Sequence, residues 1–198
     1  MRTVPGKSFF AMVCLALAVS FPGVCNAAKT HITKVTRIAA PPAGKALVNI
    51  QKGNFGGFGN GIRCPIFDDD GTFLMDLPGD CECQLVCEPG QKTFITWFED
   101  SPICVLTADL APDKIYDLLI DRTFVKITFV PFSKDPAGKK KLQKFEKRHE
   151  KKVFTLTRDE TALNYESSQK AHIEQIKHDF LGGGKSDRVI QVHKDDCR

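Results

Sequence analysis

Cys81, Cys83 and Cys87 stand within seven residues of one another, and Cys64, Cys104 and Cys197 are spread through the rest of the chain. Three thiols so close could hold a soft metal, run thiol–disulfide exchange, or bond to other cysteines. They could also stay reduced as small core residues, and alternation bears on the choice. On a strand from Cys81 to Glu88 the three cysteines share one face with Leu85, and Glu82, Gln84 and Glu88 take the other. At about 3.3 Å per residue the outer two lie some 20 Å apart, too far for one tetrahedral ion with bonds near 2.3 Å. Neighbours two apart on a straight strand also fit disulfide geometry poorly. The expectation is that each bonds elsewhere, to Cys64, Cys104 or Cys197, with the cysteine face buried. A small thiol-redox or metal-binding protein is the alternative. A Cys-x-x-Cys in a βαβ setting would favour that alternative, and the sequence has neither.

The remaining candidate chemistries are weaker. Gly53 to Gly61 holds five glycines in nine residues, but the dinucleotide fingerprint would need glycine at Ile62, and the loop opens a strand. Gly183-Gly184-Lys185-Ser186 copies the end of a phosphate loop, yet Asp179 stands where its first glycine belongs. Asp68-Asp69-Asp70-Gly71 looks like a calcium loop, with Ile66 and Leu77 at the ligand ends, so a plain turn is expected. His31, His149, His172, His178 and His193 form no ligand pair; His172 and His178 are about 240° apart around a helix. No catalytic residue, cofactor or metal is expected.

The first 27 residues read as a secretory signal: Arg2 and Lys7, an apolar run from Phe9 to Phe21, then Pro22-Gly23 and Val24-Cys25-Asn26-Ala27, with cleavage after Ala27. The context of Cys25 fits lipidation poorly. Export makes disulfides the default for the six cysteines that remain, and places the protein in the periplasm or cell envelope. Losing Arg2 and Lys7 lowers the net charge from +4 to +2, so global charge calls for no polyanion, and export disfavours nucleic acid. The local charge differs. From Lys139 to Lys152 eight Lys or Arg face only Glu146 and Glu150. On a helix Lys140, Lys144, Lys147 and Lys151 share a face, with Leu142 and Phe145 turned elsewhere. That face could meet anionic lipid or lipopolysaccharide, or simply be solvated.

These features need elements to hold them. A chain of 198 residues with 42% hydrophobic and 26% charged residues is of ordinary globular composition. After a leading segment, 28–44, about eight short strands follow: Lys45–Gln51, Ile62–Phe67, Thr72–Leu77, Cys81–Glu88, Gln91–Glu99, Ile103–Leu110, Lys114–Asp121 and Phe124–Phe132. The Pro89-Gly90 turn marks a hairpin. Spacing of this kind suggests a single antiparallel β-sandwich over 45–132. The extension 133–198 is basic and mainly helical, with one helix through the basic run and one from Asp159 to Leu181. The second helix carries a thin stripe of Leu163, Ile173, Ile176 and Phe180. A short last strand is expected at Val189–Val192.

The runs KALVNIQ, PIFDDDGTFLMDLPGD, LVCEPGQKTFITWFED and TADLAPDKIYDLLID, with the glycine loop between the first two, resemble a family of small exported bacterial proteins of unknown function. That resemblance covers about Lys45 to Phe132. It implies a transthyretin-like or immunoglobulin-like sandwich and an envelope location, and no reaction. The combined expectation is a non-enzymatic structural or binding module acting on an envelope component.

Overall fold

The computed structural model describes residues 30–52, 63–79, 81–97, 103–122, 127–131, 143, 147, 152–185 and 188–197. The expected secretory signal (1–27), the glycine loop and Lys140, Lys144 and Lys151 lie outside the described residues. Gln143 and Lys147 are both helical and exposed.

Among the described residues the chain is mainly β, with two mixed sheets and one continuous helix near the C-terminus. Its strands are β1 (Ile32–Lys34), β2 (Ala46–Lys52), β3 (Cys64–Asp68), β4 (Phe73–Leu77), β5 (Cys81–Cys87), β6 (Gly90–Thr96), β7 (Cys104–Leu110), β8 (Ile115–Arg122), β9 (Ile127–Pro131), β10 (Val153–Leu156) and β11 (Ile190–Val192). Helix α1 spans Glu160–Phe180. The first sheet has the order β1-β10-β5-β2-β8-β9 and the second β11-β7-β6-β3-β4.

A purely antiparallel arrangement was expected, and the sheets correct it. β2 with β8, β5 with β10, and β7 with β11 are parallel. Each of these pairs joins strands far apart in sequence, where a long connection can return the chain to the same end, as parallel pairing requires. The Pro89-Gly90 turn is also not a hairpin. β5 pairs with β2 and β10 while β6 pairs with β3 and β7, so this turn carries the chain from one sheet to the other. Gly90 adopts φ +108° there, a value that L side chains rarely take.

One hydrophobic core draws on both sheets and on α1. The first sheet supplies Ala46, Val48, Ile50, Tyr116, Leu118 and Ile120. The second supplies Ile66, Met75, Leu77, Phe94 and Leu106. Asp159 caps α1 by accepting from the Ala162 amide at 3.0 Å. The helix buries Ala162, Ile173, Ile176 and Phe180, whereas Leu163, expected in the stripe, is 46% exposed. Ala162 and Tyr165 take its place against the core. Around this interface Phe67 stacks on Trp97 at 5.1 Å, and Phe73 meets Tyr165 edge-on at 4.9 Å. Aromatic pairs of this geometry contribute about 0.5–1.5 kcal/mol each beyond area burial.

Candidate functional site on strand β5

β5 lies between β10 and β2, and its antiparallel register with β2 sets Cys81 opposite Lys52, Cys83 opposite Ile50, Leu85 opposite Val48 and Cys87 opposite Ala46. Those partners face the shared core, and so do the cysteines: Cys81 and Cys83 are buried, and Cys87 is half-buried against it. Alternation therefore works as expected on this face. The consequence for reactivity is chemical. Burial, with the charges of Cys81 and Glu82 adding to it, pushes the Cys83 thiol well above its ordinary range. Burial also pushes Cys87 up to about 11, against a smaller opposing pull from Lys92. The thiolate is the nucleophile and the metal ligand, so both groups are held in their unreactive form at neutral pH. Cys81 uses its thiol as a donor to the Pro78 carbonyl at 3.0 Å.

The other cysteines border the same core. Cys64 and Cys104 are buried in the second sheet, and Cys197 is half-buried near the C-terminus. Ile66 lies opposite Thr96, and Thr96 opposite Cys104. Cys64 is therefore two strands and two residues from Cys104, a Cα separation of about 12 Å that no disulfide spans. Among the described residues no disulfide joins the six cysteines, and no three His, Cys, Asp or Glu side chains are placed to share a metal ion.

The reverse face of β5 is the feature that sequence reasoning missed. Glu82, expected on a wet face, is fully buried, as are Asn49 and Gln51 of β2, with Asp117 of β8 nearly so. A polar ladder crosses three strands here. Gln84 donates to Asn49 Oδ1 at 2.9 Å, and Asn49 donates to Asp117 Oδ1 at 2.7 Å. One step along, Gln51 donates to Glu82 at 3.1 Å, and Arg37 pairs with Glu82 at 3.2 Å. The leading segment covers the β5 side of this face, with the Ile38 amide donating to Gln84 and its carbonyl accepting in return. The sequence signal was available in the polar alternation of Asn49 and Gln51 inside an otherwise apolar strand.

A second charged group ties the leading segment to β4. Arg63 pairs with Asp76 at 2.8 Å, and Thr30 donates to the same carboxylate at 2.8 Å. Burial raises the Asp76 carboxyl, more than Arg63 and Thr30 lower it. Edge strand β4 is closed by side chains: Glu166 of α1 accepts from the Phe73 amide at 2.7 Å, and Arg158 donates to the Phe73 carbonyl at 3.0 Å. Lys52, buried, donates to the Leu77 carbonyl at 3.2 Å. Blocking an edge in this way prevents a foreign strand from adding to it.

The remaining sequence candidates are dispersed. Asp69 and Asp70 form the β3–β4 turn, where the Asp68 carboxylate accepts from the Asp70 and Thr72 amides and Gly71 takes φ +79°. Gly182 to Gly184 follow the helix end. His172 sits edge-on to Trp97 at 5.0 Å, and His31 lies 2.6 Å from Asp159. No family model, curated protein or solved structure matches this chain. No helix among the described residues is long and apolar enough to cross a membrane. The site is thus defined by its own geometry: a cysteine row facing the core on one side of β5 and a buried polar ladder on the other.

Proposed function

We propose that the chain is an exported, non-enzymatic module of a bacterial cell envelope, built as a two-layer β-sandwich, with cysteines that serve the fold. One observation carries this reading. The residues best suited to chemistry, Cys81, Cys83 and Cys87, face the core, and burial holds Cys83 and Cys87 protonated. A redox or nucleophilic thiol needs the opposite setting, exposed and electropositive. The sandwich itself is supported at Tyr116. Its hydroxyl is reached by the Ala111 amide at 2.8 Å and lies 3.2 Å from the Lys194 carbonyl, at the start of a strand that has just changed sheets. A tyrosine corner of this sort marks Greek-key sandwiches.

Export rests on the N-terminal signal pattern and the even cysteine count, and the envelope location on the motif resemblance. Lys147, which is helical and exposed, belongs to the basic run from Lys139 to Lys152, through which the module is proposed to meet an anionic lipid or lipopolysaccharide surface. Oxidation in that compartment joins at least two of Cys81, Cys83 and Cys87 to Cys64, Cys104 or Cys197. The test uses the reduced, folded protein and an aromatic disulfide reagent at pH 7. Cysteines of β5 that react at least about tenfold more slowly than a free thiol, and at the free rate only after unfolding, support the reading. A β5 thiol faster than free cysteine would turn the assignment to a thiol-redox protein.

A further inference from the structure

Of the cysteines on β5, Cys81 stands where the chain itself crosses from one sheet to the other, directly after β4. We infer that Cys81 of β5 and Cys64 of β3 form a disulfide that staples the first sheet to the second at the β4–β5 corner. This rests on the reading above that the cysteines serve the fold, and it gives one of them its partner.

Register places the two thiols. Cys64 lies opposite Leu77 in the antiparallel ladder of β3 and β4, so their Cα atoms are about 4.5–5.5 Å apart and their side chains share a face. Leu77 ends β4, and Cys81 begins β5 in the other sheet four residues later. Two contacts draw Cys81 back towards the end of β4. Its thiol donates to the Pro78 carbonyl at 3.0 Å. Lys52, opposite Cys81 on β2, donates to the Leu77 carbonyl at 3.2 Å. Cys64, Leu77 and Cys81 all belong to the core between the sheets, each 1% exposed or less. The corner thus brings one thiol from each sheet to the same end of the same core.

The other cysteines lie further from this corner. Cys104 is opposite Thr96, and β6 and β3 separate its strand from β4, three spacings or about 14 Å from Leu77. Cys83 and Cys87 stand two and six residues further along β5, about 7 and 20 Å from Cys81. Burial raises the Tyr116 hydroxyl and the charge of the nearby Cys197 adds to it; Tyr116 is in register with Val48 and Leu85, four residues along β5 from Cys81. The bond forms by exchange with a small disulfide oxidant such as oxidised glutathione. One cysteine gives its proton to solvent, and its thiolate attacks the oxidant, making a mixed disulfide and expelling one glutathione thiolate. The thiolate of the second cysteine then attacks the protein sulfur of that mixed disulfide, which closes the Cys64–Cys81 bond and expels the second glutathione. The two electrons lost by the cysteines leave on the two glutathione thiols, which take up the two protons. Burial shields both sulfurs in the folded chain, so the exchange accompanies folding.

A peptide map of the unaltered chain tests the pairing. The full chain is unfolded, reduced and refolded in a mixture of reduced and oxidised glutathione, and its remaining thiols are blocked with N-ethylmaleimide. It is then digested without reduction by proteases that cut after Lys and Arg, before Asp and after Glu. These cuts release Cys64–Phe67 and Asp80–Glu82, each with a single cysteine, and separate Cys81 from Cys83. The two peptides should be recovered joined, without label, and should part on reduction. Cys81 joined to any other cysteine overturns the pairing while leaving the structural role of the cysteines in place. So does recovery of both peptides singly and labelled when another bond is present. A map with no bond among the six cysteines, all of them labelled, overturns the pairing and the reading on which it rests.

Discussion

At the residue scale the fold turns potential chemistry into support. Cys83 and Cys87 are raised above the ordinary thiol range by burial, so each prefers its proton in the folded state. A raised folded pKa contributes stability that is present below the unfolded value, near 9, and lost as pH rises through the folded one. The reduced protein should therefore lose stability from about pH 9 towards 11, and its Cys87 alkylation rate should climb with a midpoint near 11, followed by iodoacetamide labelling and peptide mass analysis. A midpoint at or below the ordinary thiol value would place Cys87 in a reactive setting. Tyr116 is the second decisive residue. Tyr116→Phe removes the hydroxyl that the Ala111 amide and the Lys194 carbonyl reach, and should cost about 1–3 kcal/mol in urea unfolding. A cost below about 0.5 kcal/mol would show that water replaces the hydroxyl freely and that the corner is not structural.

At the element scale α1 is held by a cap, an aromatic contact and a side-chain clamp on an edge strand. Burial opposes ionisation of Glu166, but the hydrogen bonds from Arg158 and the Phe73 amide outweigh it and lower its pKa. Asp159 is lowered too, first by the Ala162 amide and then by His31. A lowered folded pKa gives stability that is present above the unfolded value and is lost as pH falls through the folded one. Trp97 emission should thus hold from neutral pH down to the usual carboxylate range and change below it as α1 loosens. Arg158→Met should move that change to higher pH, and an unshifted profile would detach the clamp from helix docking. The strands from β2 to β9 were legible in the sequence because each alternates or runs apolar between turn residues, as at Asp69-Asp70-Gly71 and Pro112-Asp113. Their partners were not legible. Pro89-Gly90 has the chemistry of a turn whether the chain stays in one sheet or leaves it, and β1 and β10, three and four residues long, are strands only because they pair with each other and with β5. The α1 stripe was read correctly at Ile173, Ile176 and Phe180. Leu163 misled because the helix meets the sheets one residue around, through Ala162.

At the scale of the whole molecule, the leading segment, both sheets and the helix form one connected structure. Thr30 reaches Asp76, β1 pairs with β10, Arg37 reaches Glu82 and β11 extends the second sheet. The cysteine row was legible as a buried face from alternation alone. The polar ladder behind it was not, because polar residues on one face of a strand ordinarily meet water, and only the crossing of other segments buries them. Replacing Lys140, Lys144, Lys147 and Lys151 together with Gln should leave the melting temperature nearly unchanged, the result that a solvated charge run would give. Binding to vesicles containing anionic lipid at low salt should fall; unchanged binding, or none by the parent, would remove the polyanion surface from the account. We propose that the protein is exported and that its cysteines are structural, and one intact-mass measurement tests both halves. The precursor is expressed in a bacterium, and the envelope fraction is alkylated under denaturing, non-reducing conditions. The expected mass is that of a chain starting at Ala28, without a fatty-acyl group and with at most two alkyl adducts. A chain that keeps Met1 in the cytosol, begins acylated at Cys25, or carries six adducts would contradict it.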